Sequence, residues 1–406
     1  MSTSDTPINL QDGLIWTHKL NYYGGSIVLL EDICGTLGLS CFGIALLIVL
    51  VYFTVTLNNY LYSKYSSSFS SPESACSGPS KHTVTSDEKK DCNVDDGMNS
   101  FLHPVTHLAV IMDGNRRYGK KCCSKLENAM SLEEIESFCK QISTEIANNS
   151  GKTNSDSTFY KCTSWFNDRY EKFSHMVQFT FLDGHRLGSE KLLEFIKDCI
   201  EARIAMLTVY AFSTNNWDRP VVELQVLTTL FLLFFGKIRS IIYEYGIFIR
   251  FVSTEPKKLP IHLLKMMEYL ECDSRHISPR CITLNICVSY SGQSEMVMAC
   301  NRIFKRRMAS SDTREITKDE ISSEMLHSIT QSSYEEEDKK IFTSSIPREP
   351  QLILRTSGEK RISDFLLYEC AYSEFEFISK KWPEITKSDL KNALLNYLKR
   401  NRRHGK

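Results

Sequence analysis

From residue 105 onward, short apolar runs alternate with longer stretches whose apolar positions recur every three to four residues. The runs Val105–Met112, Ala205–Phe212, Ile247–Ser253, Ile282–Val288, Gln351–Arg355 and Phe375–Ile378 have strand length and are bounded by turn residues. The stretches Ser189–Arg203, Val221–Tyr245, Ile261–Cys272, Ser294–Arg307 and Lys387–Lys399 carry the helical period. This alternation predicts an α/β fold: a mostly parallel six-stranded sheet flanked by helices. In such sheets ligands bind beyond the carboxyl ends of the strands. The helix over Glu223–Tyr245 is apolar nearly all round in its middle, Val226 to Phe235. It reads either as a helix sandwiched in the core or as one wall of a greasy tunnel.

Two regions break the rhythm. Leu37 to Leu57 is almost wholly apolar, and the uncharged stretch runs from Ile33 to Ser63, enough to cross a bilayer as a helix. Tyr60 and Tyr62 lie where an interfacial belt would sit. Glu31 and Asp32 precede the span, where a signal peptide would have a basic segment, and Lys64 follows it, which favours a cytosolic C-terminal domain. The expected organisation is a tail over 1–36, a transmembrane helix over 37–57, a flexible Ser-, Asp- and Lys-rich linker over 58–100, and an ordered domain over 101–406. Within that domain, 122–183 is polar and mixed and contains NNSGKTNSDST; it reads as an insertion, partly disordered in its middle.

Candidate chemistry gathers at the strand ends. The run Leu108–Met112 stops at Asp113-Gly114-Asn115, followed by Arg116, Arg117, Lys120 and Lys121. A carboxylate at a strand end, a Gly beside it and cations on the next turn suit a metal-bound phosphate or diphosphate, or else a solvated surface turn. Gly184-His185-Arg186 precedes a helix, where an anion could sit. Ser213-Thr214-Asn215-Asn216-Trp217-Asp218-Arg219-Pro220 combines hydroxyls, amides and an Arg in a strand-to-helix turn; as a lone motif it is equally an ordinary helix start. Arg355 and Arg361 bracket a Gly turn beside Ser357 and Ser363, the form of a clamp for a doubly charged anion. Glu374 opens a strand and reads as either a second hard oxygen ligand or a solvent-facing residue.

Taken together, His107–Tyr118, Phe212–Pro220, Leu284–Gly292 and Arg355–Leu367 followed by Ala371–Glu374 resemble the signature regions of the cis-prenyltransferases, the undecaprenyl and dehydrodolichyl diphosphate synthases. Order and spacing match across about 105–405 apart from the insertion, and the Arg-Thr-Ser-Gly-Glu form is closest to eukaryotic, dolichol-making members. The resemblance implies condensation of isopentenyl diphosphate onto an allylic diphosphate, usually farnesyl diphosphate, with Mg²⁺ as cofactor and an apolar product tunnel along the Glu223–Tyr245 helix. By similarity, Asp113 holds the ion. Gly114, Asn115, Arg116, Arg117, His185 and Arg219 cradle the allylic diphosphate. Arg355, Arg361, Ile362 and Ser363 grip isopentenyl diphosphate. Ser213, Thr214, Asn215 and Asn216 orient it, with Asn216 a candidate proton relay. Tyr118 and Trp217 shape the wall near the reacting carbons. Arg403-His404-Gly405 matches an Arg-x-Gly motif that reaches the partner's site, which implies a homodimer, and the N-terminal span implies attachment to the endoplasmic reticulum. The sequence also departs from the family. Tyr118 stands for Trp, Lys360 for a metal-contacting His that would accompany Glu374, Asn215 for an acidic residue, and Phe181 for a basic residue that Lys172 could replace.

Composition trims the alternatives. Net charge is zero, so no global imbalance points to nucleic acid. The 14 cysteines are scattered without a C-x-x-C pair, as for reduced thiols without a zinc site. No G-x-x-x-x-G-K-[ST] loop or strand-borne G-x-G-x-x-G supports a nucleotide enzyme. A non-catalytic membrane partner that activates a separate synthase would have lost the carboxylate and clamp residues, and this chain keeps them.

Overall fold

The computed structural model describes residues 104–123, 130–150, 157–330, 341 and 346–401. The chain divides into two units, 1–92 and 93–406, and every described residue lies in the second. The expected span at 37–57, the linker and Arg403–Gly405 fall outside the described residues.

Six strands form one parallel sheet in the order β3-β4-β2-β1-β5-β6: β1 His107–Ile111, β2 Met206–Ser213, β3 Ile247–Val252, β4 Ile282–Tyr290, β5 Leu352–Arg355 and β6 Glu374–Phe377. β1, β3, β4 and β5 are buried along their whole length, as expected where both faces of a parallel sheet are covered, and this is why they read as continuous apolar runs. The described α-helices of six or more residues are α1 Asn115–Cys123, α2 Leu132–Ser150, α3 Thr163–Val177, α4 Asp183–Glu201, α5 Val221–Glu244, α6 Ile261–Ser274, α7 Gly292–Ser310, α8 Lys318–Ser323 and α9 Lys387–Lys399. β1 and β5 are neighbours, but the chain leaves β1 toward β2 and leaves β5 toward β6. That reversal opens a crevice at the carboxyl ends of β1 and β5.

The two sheet faces differ. Leu108, Val110, Val209, Ile249 and Leu284 point into a large apolar core shared with α2 to α6 and α9. The other face carries a smaller core and a buried polar ladder across four strands. In it, His107 Nε2 meets Thr208 Oγ1 at 2.8 Å, Asn285 Nδ2 donates to Thr208 Oγ1 at 2.9 Å, and Arg250 Nη1 donates to Asn285 Oδ1 at 3.0 Å.

The segment expected as a polar insertion contains α2 and α3. Ile135, Cys139, Ile142 and Ile146 form the buried stripe of α2, and Phe166, Tyr170, Phe173 and Val177 that of α3. Both helices pack on α5, with the Phe166 ring seated where a Cβ on Gly236 would come within 2.1 Å. This accounts for α5 being apolar all round: it is covered by α2, α3, α6 and the sheet. α5 has the length and hydropathy of a membrane-crossing helix, yet most of its apolar stretch is buried inside the protein.

Candidate active site

β1 runs straight into the crevice. The Asp113 N–H closes a tight turn onto the Ile111 carbonyl at 2.9 Å, and Gly114 follows at φ +102°, a conformation that excludes most side chains. A Cβ on Gly114 would also lie 2.9 Å from both Lys381 Cβ and Ser357 Oγ. The Asp113 carbonyl accepts Thr356 Oγ1 at 2.7 Å and the Trp382 N–H at 3.0 Å, so its backbone is pinned from two sides. Its carboxylate, one-quarter exposed, bridges two guanidiniums: Oδ1 to Arg117 Nη2 at 3.1 Å and Oδ2 to Arg355 Nη2 at 2.9 Å. Arg355 is buried at the end of β5, and its Nη1 donates to Ser363 Oγ at 2.8 Å and to the Arg361 carbonyl. Arg117 also reaches Glu359 Oε1 at 3.1 Å.

A second carboxylate organises the neighbouring cations. Glu223, in the first turn of α5 and 2% exposed, places Oε1 3.2 Å from Arg219 Nη1 and Oε2 3.4 Å from Arg116 Nη2. His185, in the first turn of α4, holds Nε2 3.9 Å from Glu223 Oε1 and makes no hydrogen bond there. Burial, then Arg219 and Arg116, push His185 down to about 3, so the ring is neutral. α4 brings His185 this close because its glycines admit α1: a Cβ on Gly184 would strike the Asn115 carbonyl at 2.0 Å. Arg116 also lies over the Phe181 ring, 5.9 Å from its centre.

The loops carrying the remaining candidates are fixed from behind. Asn216 Oδ1 accepts the Ser213 N–H at 3.1 Å, closing the turn after β2. Ser363 and Asp364 both have positive φ, and Asp364 caps the start of α7 by accepting Ser291 Oγ at 2.6 Å and the Gln293 N–H at 2.9 Å. The Tyr210 hydroxyl donates to the Tyr290 and Ser363 carbonyls, and its ring stacks on Phe365.

These groups surround one cavity of about 690 Å³. The β1–α1 turn supplies Asp113, Gly114, Asn115, Arg116 and Arg117 to its wall; α4 supplies His185. The loop after β2 supplies Ser213, Asn215, Asn216 and Arg219, and the β5 side Arg355 and Ser363. Deeper in, the wall turns apolar, with Leu227, Leu230, Phe231, Phe234 and Phe235 of α5 and Ile286 of β4. Charged mouth and apolar depth together fit an amphiphile with an anionic head.

Other expected residues stand apart. Tyr118, Thr214, Arg361 and Ile362 do not line the cavity. Trp217 turns away, donating to Ser289 Oγ at 2.9 Å and packing on Phe212. Lys172 is paired with Asp168 at 3.1 Å and does not reach the clamp. Glu374 opens β6 opposite Leu352, three residues before the level of Arg355, while Asp113 follows the end of β1; the two carboxylates lie at opposite ends of the parallel strands. Glu374 is paired with Arg400 at 3.0 Å. Two residues were not foreseen. Glu223 sits four residues after Arg219 and just after Pro220, which from sequence is only a helix start. Trp382 donates from Nε1 to the Gly188 carbonyl at 2.7 Å and braces the Asp113 turn through its own N–H.

Comparison with known proteins points to one family. Residues 167–405 match the family model for undecaprenyl diphosphate synthase. An isoprenyl transferase of Prochlorococcus marinus subsp. pastoris is 37% identical over 229 residues, 55% of this chain and 75% of that protein. An isoprenyl transferase of Aquifex aeolicus is 31% identical over 223 residues, 55% of this chain and 86% of that protein. Among solved structures, lavandulyl diphosphate synthase from Lavandula x intermedia, in complex with dimethylallyl diphosphate, has the same fold at a TM-score of 0.52 and 20% identity, covering 75% of this chain and 99% of that one. The chain belongs to the undecaprenyl diphosphate synthase family of cis-prenyltransferases.

Proposed function

We propose that this chain condenses isopentenyl diphosphate onto an allylic diphosphate, farnesyl diphosphate as the primer, to give a long cis-polyprenyl diphosphate that serves as dolichol precursor. The observation that carries the reading is the two-part cavity, with Asp113, Arg116, Arg117, Arg219, Arg355 and Asp364 at one mouth above a phenylalanine-lined depth. Arg116, Arg117, His185 and Arg219, with the backbone after Gly114, hold the allylic diphosphate. Arg355 and Ser363 hold the isopentenyl diphosphate, with Arg361 contributing its carbonyl to the placing of Arg355. The prenyl chain gains burial along α5, about 0.8 kcal/mol per CH₂. Asn216 acts by holding the loop after β2 in shape, since its side-chain oxygen is taken by the Ser213 N–H.

The donor set also fits Mg²⁺ in one particular form. Among the described residues no three His, Cys, Asp or Glu gather, so there is no closed protein cage. Mg²⁺ is typically held by one or two carboxylates plus substrate phosphates. Of the two carboxylates lining this cavity, Asp364 is taken up by Ser291 Oγ and the Gln293 N–H, so Asp113 would hold it; Glu374 of the same chain would not. When bound, the ion offsets charge on the departing pyrophosphate.

The same reading includes a homodimer in which Arg403 and Gly405 serve the partner's site. It also includes tethering to the endoplasmic reticulum through 37–57, with the catalytic domain in the cytosol. The test is direct: the purified full chain is incubated with farnesyl diphosphate, labelled isopentenyl diphosphate and Mg²⁺, and products are weighed by mass spectrometry. Long cis-polyprenyls are expected. Absence of any condensation product from the folded wild type would overturn the reading.

A further inference from the structure

Glu223 and His185 make an unusual pair for an anion site. The strongest cations at this half of the mouth, Arg116 and Arg219, already share a buried carboxylate, at 3.4 and 3.2 Å. Beside them His185 is one-tenth exposed and lines the cavity, with an Nε2 that has no hydrogen-bond partner. Its nearest carboxylate oxygen, on Glu223, is 3.9 Å away, beyond hydrogen-bond distance.

Taking this mouth as a diphosphate site, we propose that His185 takes up one proton when a diphosphate enters, and that Glu223 is the resident counter-charge that holds the clamp until then. The charged groups facing the ring are Arg116 from α1, Arg219 from the segment before α5, and Glu223 from α5 itself. On the ring's own helix, Arg186 is tied to Asp183 at 2.6 Å and to Glu190 at 2.9 Å, so those charges are already matched. Asp113 stands across the mouth, occupied by Arg117 and Arg355. In the ligand-free site two guanidiniums and burial outweigh one carboxylate, and the ring stays neutral. One anionic charge at hydrogen-bond distance in such an interior moves a pKa by roughly three units. A metal-free diphosphate brings at least about two such charges, enough to carry the ring past neutrality. A neutral imidazole could instead donate one N–H to the anion with no proton taken up, so the two cases differ by one proton.

That proton is measurable. The full chain and H185Q are titrated calorimetrically with inorganic pyrophosphate, in the presence of a chelator, near neutral pH in two buffers of different ionisation enthalpy. Pyrophosphate's own protonation change is common to both proteins, so the difference isolates the ring. Wild type is expected to take up about one proton more per site than H185Q, and its affinity to weaken more steeply with rising pH, by as much as about tenfold per pH unit. Equal uptake in the two proteins overturns the proton step alone. Failure of pyrophosphate to bind either protein overturns the diphosphate reading of the mouth with it. Should H185Q not fold, histidine-ring NMR of the wild type decides. One of the ten histidines must become an imidazolium on adding pyrophosphate, and an unchanged set overturns the proposal.

Discussion

Two carboxylates organise the cations of this cavity, Asp113 lining it and Glu223 behind it, and each meets two guanidiniums. Asp113 is one-quarter exposed and projects from a pinned turn after a strand; Glu223 is 2% exposed and sits in the first turn of a helix. Asp113 is reachable, so a ligand or cation can replace either of its guanidinium partners without opening the protein. Glu223 is shut behind Arg116 and Arg219, so it can only set the charge those arginines present. Residue type and partners are nearly the same, and exposure alone separates the two jobs.

The sharpest way to break this comparison is Asp113→Ala. Losing the carboxylate that faces the two clamp arginines is expected to lower turnover by about 10²–10³, the scale seen when one charge-stabilising group is removed from a preorganised site. The melting temperature should move little. A variant keeping more than about a tenth of wild-type turnover would return Asp113 to the structural role of Glu223. Arg355→Lys comes next. Arg355 donates to Asp113, Ser363 and the Arg361 carbonyl at once, a forked geometry that an ammonium does not reproduce. The KM for isopentenyl diphosphate should rise by about tenfold or more, with a smaller change in kcat. An unchanged KM with reduced kcat would move Arg355 from substrate grip to transition-state contact.

The open carboxylate was legible in the sequence and the shut one was not, for a physical reason. Asp113 ends an apolar run and is followed at once by Gly114 and cations, so strand, turn and charge all lie within one short window. The Arg355 clamp is equally local. The sheet was legible on the same terms: all six strand runs were placed to within two residues at each end, the inner ones because strands buried on both faces read as apolar runs. Glu223 needs Arg116, which comes from another helix over a hundred residues earlier, and nothing local marks that contact. Glu374 shows the converse: a plausible ligand by motif, put at the amino end of its strand, away from the crevice, by its register with Leu352. The helices of 122–183 were hidden differently. Their apolar stripes, Ile135-Cys139-Ile142-Ile146 and Phe166-Tyr170-Phe173-Val177, keep the 4-3-4 spacing. The polar run between them drew the whole segment toward a loop reading. For α5 the core and tunnel readings both apply, because Leu233 and Ile238 are sealed in the core while Leu230 and Phe231 face the cavity.

Glu223→Gln sharpens the comparison at a smaller scale. Removing the counter-charge leaves Arg116 and Arg219 to repel each other, at a cost of about 1 kcal/mol, the low end for a lost charged partner because both guanidiniums are part-exposed at 48% and 30%. The same change should tighten pyrophosphate binding severalfold, and pyrophosphate should restore the lost melting temperature. Stability and affinity moving in opposite directions is the signature of a counter-charge. If both fall together, Glu223 touches the ligand directly.

The last test concerns a carboxylate that is shut away with no guanidinium bonded to it. Glu369 is 1% exposed, and burial followed by the Glu295 carboxylate hold it well above the usual range. Glu295, also buried, is raised chiefly by burial and accepts the Leu326 N–H at 2.7 Å and the Tyr290 hydroxyl, so the proton of this pair rests with Glu369. Between the ordinary carboxylate value of 4.5 and its raised folded value, Glu369 is protonated when folded and ionised when unfolded. The unfolded chain then binds fewer protons, so this group's stability contribution is full below pH 4.5 and is lost as pH rises through the folded value. The slope for one proton is at most about 1.4 kcal/mol per pH unit. In Glu369→Gln that term vanishes. Urea denaturation from pH 4.5 upward should show wild type losing stability relative to the variant as pH rises. Parallel curves would mean that Glu369 is ionised in the fold, and that a carboxylate here can be shut away from solvent without either a cation, as Glu223 has, or a proton.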